Sequence, residues 1–333
     1  MKRNLIERVL KTIRSYDMLK SGDTVVAAVS GGPDSLFLLH ALVSLKRKFG
    51  IKKIAVCNLD HGLRGEESRR DSKFVKRAAA GLGLEFIHKR INLSKAKSKK
   101  LSMEELARSV RYKFYKEAAG RAGATVIATG HTLDDQAETV LMRLVKGASL
   151  KGAVGILPVR REGEVSFIRP LLGLEKREIE EYLTRGRIGY RIDRTNLEDI
   201  YFRNVVRSEI IPFLERYNPR LKRVLSNFAE HLREDFEFIE NEKSKARRFI
   251  RSGLNGRAEI SLKDIVVQPK ALQKEILRDS LDKAGGEVKK LTFRHWKDLE
   301  NFIKYKRKGS SLDLPGAVRV TRTADNLIFN RRG

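Results

Sequence analysis

Through the first 150 residues, short unbroken apolar runs alternate with stretches in which apolar positions recur every three or four residues. Residues 24–29 (TVVAAV), 54–59 (IAVCNL), 84–87 (LEFI) and 125–128 (TVIA) predict short, fully buried strands. Between them, 36–47, 66–82 and 103–122 carry helical spacing, with Leu36, Leu39 and Val43 forming one stripe and Phe74, Ala78 and Leu82 another. Strand–helix alternation of this kind predicts an α/β fold built on a doubly wound parallel sheet, with ligands beyond the carboxyl ends of the strands. From about residue 165 the alternation weakens. Residues 175–186 and 202–216 predict helices, the second kinked or cut by Pro212. A highly charged helical stretch over 219–252 reads as a connector. Beyond Gly253 and Gly256 come a strand (258–262), helices (270–284, 293–307) and alternating strands near 310–330. The expected organisation is therefore a ligand-binding domain over 1–218, a helical connector over 219–252 and a small α+β domain over 253–333.

Composition narrows the function. The 333 residues are 41% hydrophobic and 34% charged, which suits a folded protein rather than a disordered one. No apolar run approaches the roughly 18 residues of a membrane span, and Glu7, Arg8, Lys11 and Arg14 interrupt any signal peptide, so no membrane association is expected and the location is expected to be cytoplasmic. The single cysteine, Cys57, excludes an internal disulfide, a CxxC pair and cysteine-built zinc or iron–sulfur sites. It also disfavours thiol-relay sulfur transfer, and its apolar surroundings predict a packed thiol. The net charge of +28 points to a polyanion, and nucleic acid is the expected partner. The excess is net +20 over residues 1–229 and net +8 over 230–333, so both parts are basic.

The strongest chemical signal is SGGPDS, Ser30 to Ser35, between the first strand and the first helix of the alternating region. Gly31 and Gly32 allow backbone angles that turn several N–H groups toward one anion, Ser30 and Ser35 add hydroxyls, and the helix start that includes Pro33 points its positive end the same way. Together these predict a pyrophosphate cradle. Asp34 would repel the phosphates unless Mg²⁺ lay between them. No GxxxxGK[ST] pattern is present, which argues against a kinase-type site. The loop resembles the SGGxDS signature of the PP-loop ATP pyrophosphatases. That resemblance implies cleavage of ATP between its α- and β-phosphates, adenylation of a carbonyl oxygen, and displacement of AMP by a nucleophile.

Five further segments, NLDHGLRGEESRRD (58–71), LSMEELARSVRYKFY (101–115), TGHTLDDQAETVLMRLVKGASLKG (129–152), RPLLGLEKREIEEYL (169–183) and DRTNLEDIYFRNVVRSEIIPFLE (193–215), in this order resemble the bacterial tRNA(Ile)-lysidine synthetase family. The resemblance covers residues 20–220. Residues 225–333 suit that family's first C-terminal domain, and the second such domain of longer members is not seen, which implies a short form. It implies adenylation by ATP of C2 of the wobble cytidine in tRNA(Ile) with a CAU anticodon, attack by the ε-amine of free L-lysine, and lysidine as product. A homodimer is left open. An amine of pKa about 10.4 must lose a proton or bind in its neutral form, so a carboxylate beside the lysine is expected.

His131, Asp135 and Glu138, at i, i+4 and i+7, would share one helix face while Asp134 points elsewhere. The resemblance makes Asp135 the residue at the lysine or the reacting centre, with His131 near the phosphates; an Asp helix cap or a structural metal site would use the same residues. His61 and Arg64 are implied nucleotide or cytidine contacts, against a loop histidine bonded to backbone. Arg108 and Arg111 lie within one helical turn and are implied substrate contacts, against an intrahelical salt-bridge face with Glu104 and Glu105. Arg203 and Arg207, four apart, with Asn204 between them, are implied RNA or substrate contacts, against a solvated face paired to Glu209 or Asp199. Trp296 is expected in the core of the small domain. Two other functions fit parts of this picture: another PP-loop tRNA-modifying enzyme such as a thiolase, and a non-catalytic basic RNA-binding protein.

Overall fold

A computed structural model describes residues 2–62, 65–92, 103–191, 201–246, 249–253 and 256–331. It divides the chain into two compact units, Met1–Leu232 and Arg233–Gly333. No described helix is long and apolar enough to cross a membrane.

The first unit runs α1 (Lys2–Ser15), β1 (Thr24–Ala28), α2 (Pro33–Leu45), β2 (Lys53–Asp60), α3 (Glu66–Gly81), β3 (Glu85–Arg90), α4 (Met103–Ala122), β4 (Val126–Ala128), α5 (Leu133–Val145), α6 (Leu150–Ala153), β5 (Val159–Glu162), β6 (Val165–Ile168), α7 (Lys176–Arg185), α8 (Tyr201–Val205) and α9 (Ile211–Glu215). The sheet order is β3-β2-β1-β4-β6-β5. Because side chains alternate along a strand, β1 serves two cores at once. Val25 and Ala27 face α1, α2 and α7, where Phe37 meets Tyr182 edge-on at 4.9 Å, while Val26 and Ala28 face Phe114 and Ala118 of α4. Helices thus cover both faces, and this is why the buried strands read as unbroken apolar runs.

The strand pairings differ from expectation at one edge. β1 to β4 and β6 are parallel, but β5 pairs antiparallel with β6 in a hairpin turned by Gly163 (φ +63°), so the sheet is not wholly parallel. The charged, half-exposed VRRE strand lacks the apolar run that marks the others. α1 also lies outside the expected elements. α2 starts at Pro33, three residues before the expected 36, because proline's fixed φ suits a first helical position. Pro212 does not end its helix: a π-turn, Val206–Ile210, links α8 to α9 and accommodates the missing N–H.

The chain crosses from β3 over to β4, on the other side of β1, so the sheet reverses direction of growth between β1 and β4. A crevice opens at the carboxyl ends of such a pair. The loops after β1 and β4 are SGGPDS and TGH.

Helix α10 (Leu221–Ala246) is continuous, so the boundary between units, Leu232 and Arg233, falls inside it rather than at 218 or 252. Leu221 and Leu225 pack with Ala137, Val206 and Ile211 of the first unit, and Ala246 joins the core of the second. The second unit continues with β7 (Ile250–Ser252), β8 (Ala258–Ser261), α11 (Leu262–Val266), α12 (Lys270–Lys283), α13 (Phe293–Tyr305), β9 (Ser311–Leu314), β10 (Val318–Arg322) and β11 (Asn326–Arg331). Its antiparallel sheet, β7-β8-β11-β10-β9, buries Ile260, Val320 and Phe329 against Leu277, Leu299 and Phe302. Trp296 packs against this core under the Arg278 guanidinium, while Tyr305 is exposed.

Candidate active site

Ser35 ties the SGGPDS loop to itself. Its Oγ accepts from the Ser30 and Gly31 N–H groups, both at 3.2 Å, and donates to the Gly32 carbonyl at 2.9 Å. The Ser35 hydroxyl is thus engaged within the loop rather than turned outward as expected. Gly31 (φ +99°) is buried, and a Cβ there would lie 3.3 Å from Val75, so this glycine shapes the loop from beneath and does not line the cleft. Gly32 is the N-cap of α2 with no side chain satisfying the helix start, and Pro33, Asp34 and Ser35 form its first turn. The arrangement leaves the positive end of α2 facing the crevice.

A cleft of about 380 Å³ lies there, lined by the Ser30–Ser35 loop without Gly31, by Cys57, Leu59 and His61, by Arg108, Arg111, Tyr112 and Tyr115 of α4, and by Thr129, Gly130 and His131. The structure therefore brings together all but one of the expected loop residues with His61, Arg108, Arg111 and His131. Arg64 lies outside the described residues. Asn204 is on α8, away from this lining. Burial, aided by Arg111, lowers the His61 imidazole to about 4, and its Nδ1 is buried without a partner among the described residues. Burial likewise lowers His131 to about 4, while its Nδ1 meets Thr129 Oγ1 at 2.9 Å. Both rings are neutral near pH 7. Burial pushes the Cys57 thiol up, so it is an inert floor rather than a nucleophile.

Gly130 was not expected at the site, yet it presses on it. A Cβ there would lie 3.1–3.2 Å from the backbone of Asp34 and Ser35. Gly130→Ala is expected to push the first turn of α2 outward and cut activity about tenfold or more, with Tm nearly unchanged; activity and thermal melts of the same sample check this.

Asp34 is the cleft's unsatisfied charge. Its Oδ1 is buried and has no hydrogen-bond partner among the described residues, and burial raises the carboxyl to about 7 against the pull of Lys176, with Asp135 and Asp134 adding to the rise. An orphaned carboxylate oxygen at a helix N-terminus beside a phosphate-sized cleft fits a divalent cation shared with phosphates.

Next to Asp34 stands a second cluster that the sequence only partly disclosed. His131 precedes the Thr132 N-cap of α5, so His131, Asp135 and Glu138 do not share one helix face. Asp135 is the capping-box partner of the Thr132 N-cap rather than the cap itself: its Oδ2 accepts from the Thr132 N–H and hydroxyl, both at 2.9 Å. Its other oxygen accepts from Lys176 Nζ at 3.0 Å. Burial pushes Asp135 up, but Lys176, His131 and the Thr132 N–H outweigh it and hold the carboxyl well below the usual range. Lys176 is held above the usual lysine value: burial opposes this, and Asp135, Asp34 and Glu138 override it.

Asp134 does not point away idly. It accepts from the Lys176 N–H at 2.8 Å and pairs with Lys222 at 3.0 Å, latching α7 and α10 onto the start of α5. Glu138, 1% exposed, receives Arg207 in a two-pronged contact (2.6 and 3.0 Å) and Arg203 at 3.1 Å. The π-turn sets both arginines on this one carboxylate. Glu138 is therefore a buried anchor rather than an open catalytic carboxylate, and the two arginines converge on it while staying partly exposed. Glu138→Ala would strip Arg203 of its carboxylate and leave Arg207 only the longer contact to Asp135 at 4.0 Å; the expected loss is about 3 kcal/mol, read as a Tm lower by roughly 10 °C. Lys176 was missed because it sits in a helix rich in alternating charges. The available signal was a lysine at a first helical position, where the helix dipole disfavours a cation.

Residues 1–214 match the family model described as a PP-loop domain. The chain is 36% identical over 328 residues to the tRNA(Ile)-lysidine synthase of Clostridioides difficile (strain 630), covering 98% of this chain and 70% of that one. It is 35% identical over 331 residues to the enzyme of the same name from Caldanaerobacter subterraneus subsp. tengcongensis, with 98% and 69% covered. Among solved structures, the U34-tRNA thiolase NcsA from Methanococcus maripaludis superposes with a TM-score of 0.59 at 21% identity over 70% of this chain and 80% of that one, which shows a shared fold. Similarity along nearly its whole length shows that the chain belongs to the tRNA(Ile)-lysidine synthase family.

Proposed function

We propose that this chain joins L-lysine to the wobble cytidine of a tRNA(Ile) with a CAU anticodon, using ATP. The observation that carries the chemistry is the juxtaposition of an unpartnered carboxylate oxygen, Asp34 Oδ1, with an ionised Asp135 held by Lys176. The cytidine C2 oxygen attacks the α-phosphorus, the bond to the bridging oxygen breaks, and pyrophosphate leaves with that electron pair. The lysine ε-amine then attacks C2, the C2–O bond breaks with its pair going to AMP, and the nitrogen gives up a proton to solvent. Ser30, Gly32 and the first turn of α2 surround the phosphates, and Arg108 and Arg111 supply cations on the opposite wall. Asp34 would hold Mg²⁺, which when bound neutralises phosphate charge.

The amine step follows from charge balance. Asp34, Asp134, Asp135 and Glu138 face Lys176, Lys222, Arg203 and Arg207, so the cluster has no net negative charge to favour another ammonium. An amine entering beside Lys176 and Arg207 is held toward its neutral, nucleophilic form. Asp135 can orient that amine by accepting a hydrogen bond, but its depressed pKa makes it a poor proton sink.

Mass spectrometry of tRNA incubated with the protein, ATP, Mg²⁺ and isotope-labelled lysine tests the reading. The label should appear on one anticodon cytidine; pyrophosphate release with no label, or a gain of sulfur from a sulfur donor, would overturn it. The thiolase alternative lacks support from the residues present, since Cys57 is the chain's one cysteine and is buried.

A further inference from the structure

The nucleotide cleft occupies the face of the sheet shared with α4, where Cys57 and Leu59 point. On the opposite face, a groove of about 260 Å³ runs between α3 and the outer strand β3. Lys73 and Lys76 line it from α3, Arg90 from the end of β3, with the Ser72 hydroxyl between them and the Phe86 and His88 rings along the floor.

Three observations distinguish this groove from an ordinary basic surface. First, Lys73 and Lys76 are exposed, lie three apart on one helix face, and among the described residues have no carboxylate within ion-pair distance. Like charges so placed weaken a helix, so packing gives no reason for them. Second, the one carboxylate lining the groove among the described residues, Asp60, is 4% exposed and already engaged: Oδ1 accepts the Gly62 N–H at 2.7 Å, and Oδ2 meets the groove's own Arg90 at 3.3 Å, which leaves Lys73 and Lys76 unneutralised. The groove is therefore strongly positive at its open side. Third, its aromatic floor is fixed. His88 stacks on Phe86 with rings 9° from parallel, and its Nδ1 meets Asn58 Oδ1 at 3.1 Å. Asn58 is buried and donates to the Val29 carbonyl at 2.8 Å, one residue before Ser30. An exposed ring on a platform anchored to the end of β1 is preorganised for a flat partner.

We propose that this groove receives the sugar–phosphate backbone of the RNA strand whose reactive nucleotide enters the cleft on the other side of the sheet edge. The proposal rests on the tRNA-modifying reading above and names a surface that the reading does not require. The cations are strung along one helix and one strand end rather than converging on a point, which suits successive phosphates better than a single anion, and the stacked rings suit a base or ribose face. Asp60 and His61 are neighbours in the chain, one lining the groove and one the cleft, so the two sites meet at the end of β2.

The test compares the full-length wild type with Lys73→Ala/Lys76→Ala/Arg90→Ala and, because Arg90 supports Asp60, with Lys73→Glu/Lys76→Glu, which leaves that pair intact. tRNA affinity is measured at several salt concentrations, together with ATP affinity and Tm. At 0.7–0.9 per phosphate contact, the log–log salt slope should be shallower by about 2 to 3 in the triple variant and by about 1.5 to 2 in the double one. tRNA affinity at low salt should be lower by about tenfold or more in both, with ATP affinity unchanged and Tm unchanged in the Lys73→Glu/Lys76→Glu variant. Unchanged slope and affinity in both variants, in a preparation whose wild type still forms lysidine, would overturn the groove without touching the reaction. A wild type that binds tRNA but forms no lysidine would overturn the reaction while the slope still reads the groove. Titration with inorganic phosphate and AMP forms the last arm: saturable binding lost in the variants, with tRNA binding intact, would assign the groove to a small anion and refute the RNA assignment.

Discussion

Asp34→Ala is expected to reduce ATP–pyrophosphate exchange by about 10³-fold or more, on the order of 4 kcal/mol of transition-state stabilisation, while tRNA affinity changes less than twofold. Among the described residues the buried Oδ1 has no hydrogen-bond donor, so no hydrogen bond of the fold is lost with it. An unpartnered buried carboxylate destabilises the folded state, so Tm should not fall in the variant. Its loss is felt only when phosphates and a divalent cation must be held against the start of α2. A Mg²⁺ titration separates the roles: the wild type should saturate, and the variant should show no recovery at high Mg²⁺. Equal loss of tRNA binding, or wild-type exchange, would remove Asp34 from the phosphate side of the reaction.

The parts of this molecule that local chemistry specifies were visible in the sequence, and those set by long-range geometry were not. Buried parallel strands must be apolar on both faces, so β1, β2 and β4 could be placed within a residue or two. The SGGPDS turn could be assigned to the start of a helix because its glycines permit a tight turn and its proline presets a helical φ. Edge strands carry no such constraint, and the β5–β6 hairpin was missed. At the site, the identities of Asp34, Asp135, Glu138, Arg203 and Arg207 were legible, but their pairing was not. Spacing of i and i+4 assumes one continuous helix, and the Thr132 N-cap breaks that assumption for His131, while the π-turn changes it for Arg203 and Arg207. Which carboxylate each arginine meets depends on how α8 and its π-turn dock on α5, 65 to 69 residues earlier in the chain. Lys176 was silent for the same reason: its partner Asp135 lies 41 residues away.

Asp135 and Lys176 should behave as one unit, and a double-mutant cycle reads that directly. Asp135→Asn can still accept the Thr132 N–H, so α5 keeps its cap, but the charge facing Lys176 is lost. Transfer of lysine to the adenylated cytidine should fall by about 10²-fold or more, whereas ATP–pyrophosphate exchange, which depends on Asp34, should fall far less. Lys176→Met removes the cation that keeps an entering amine toward its neutral form. Its expected signature is a lower kcat for lysine transfer with no rise in KM for lysine, because the site then carries a net negative charge that favours binding an ammonium but leaves it unreactive. Lys176→Arg, which preserves the charge, should recover most of the rate. Combining Asp135→Asn with Lys176→Met should cost well under the sum of the single losses, since each single change already breaks the 3.0 Å contact. Strict additivity, or equal loss of pyrophosphate exchange in the Asp135 variant, would show that the pair acts separately and that Asp135 serves adenylation rather than the amine.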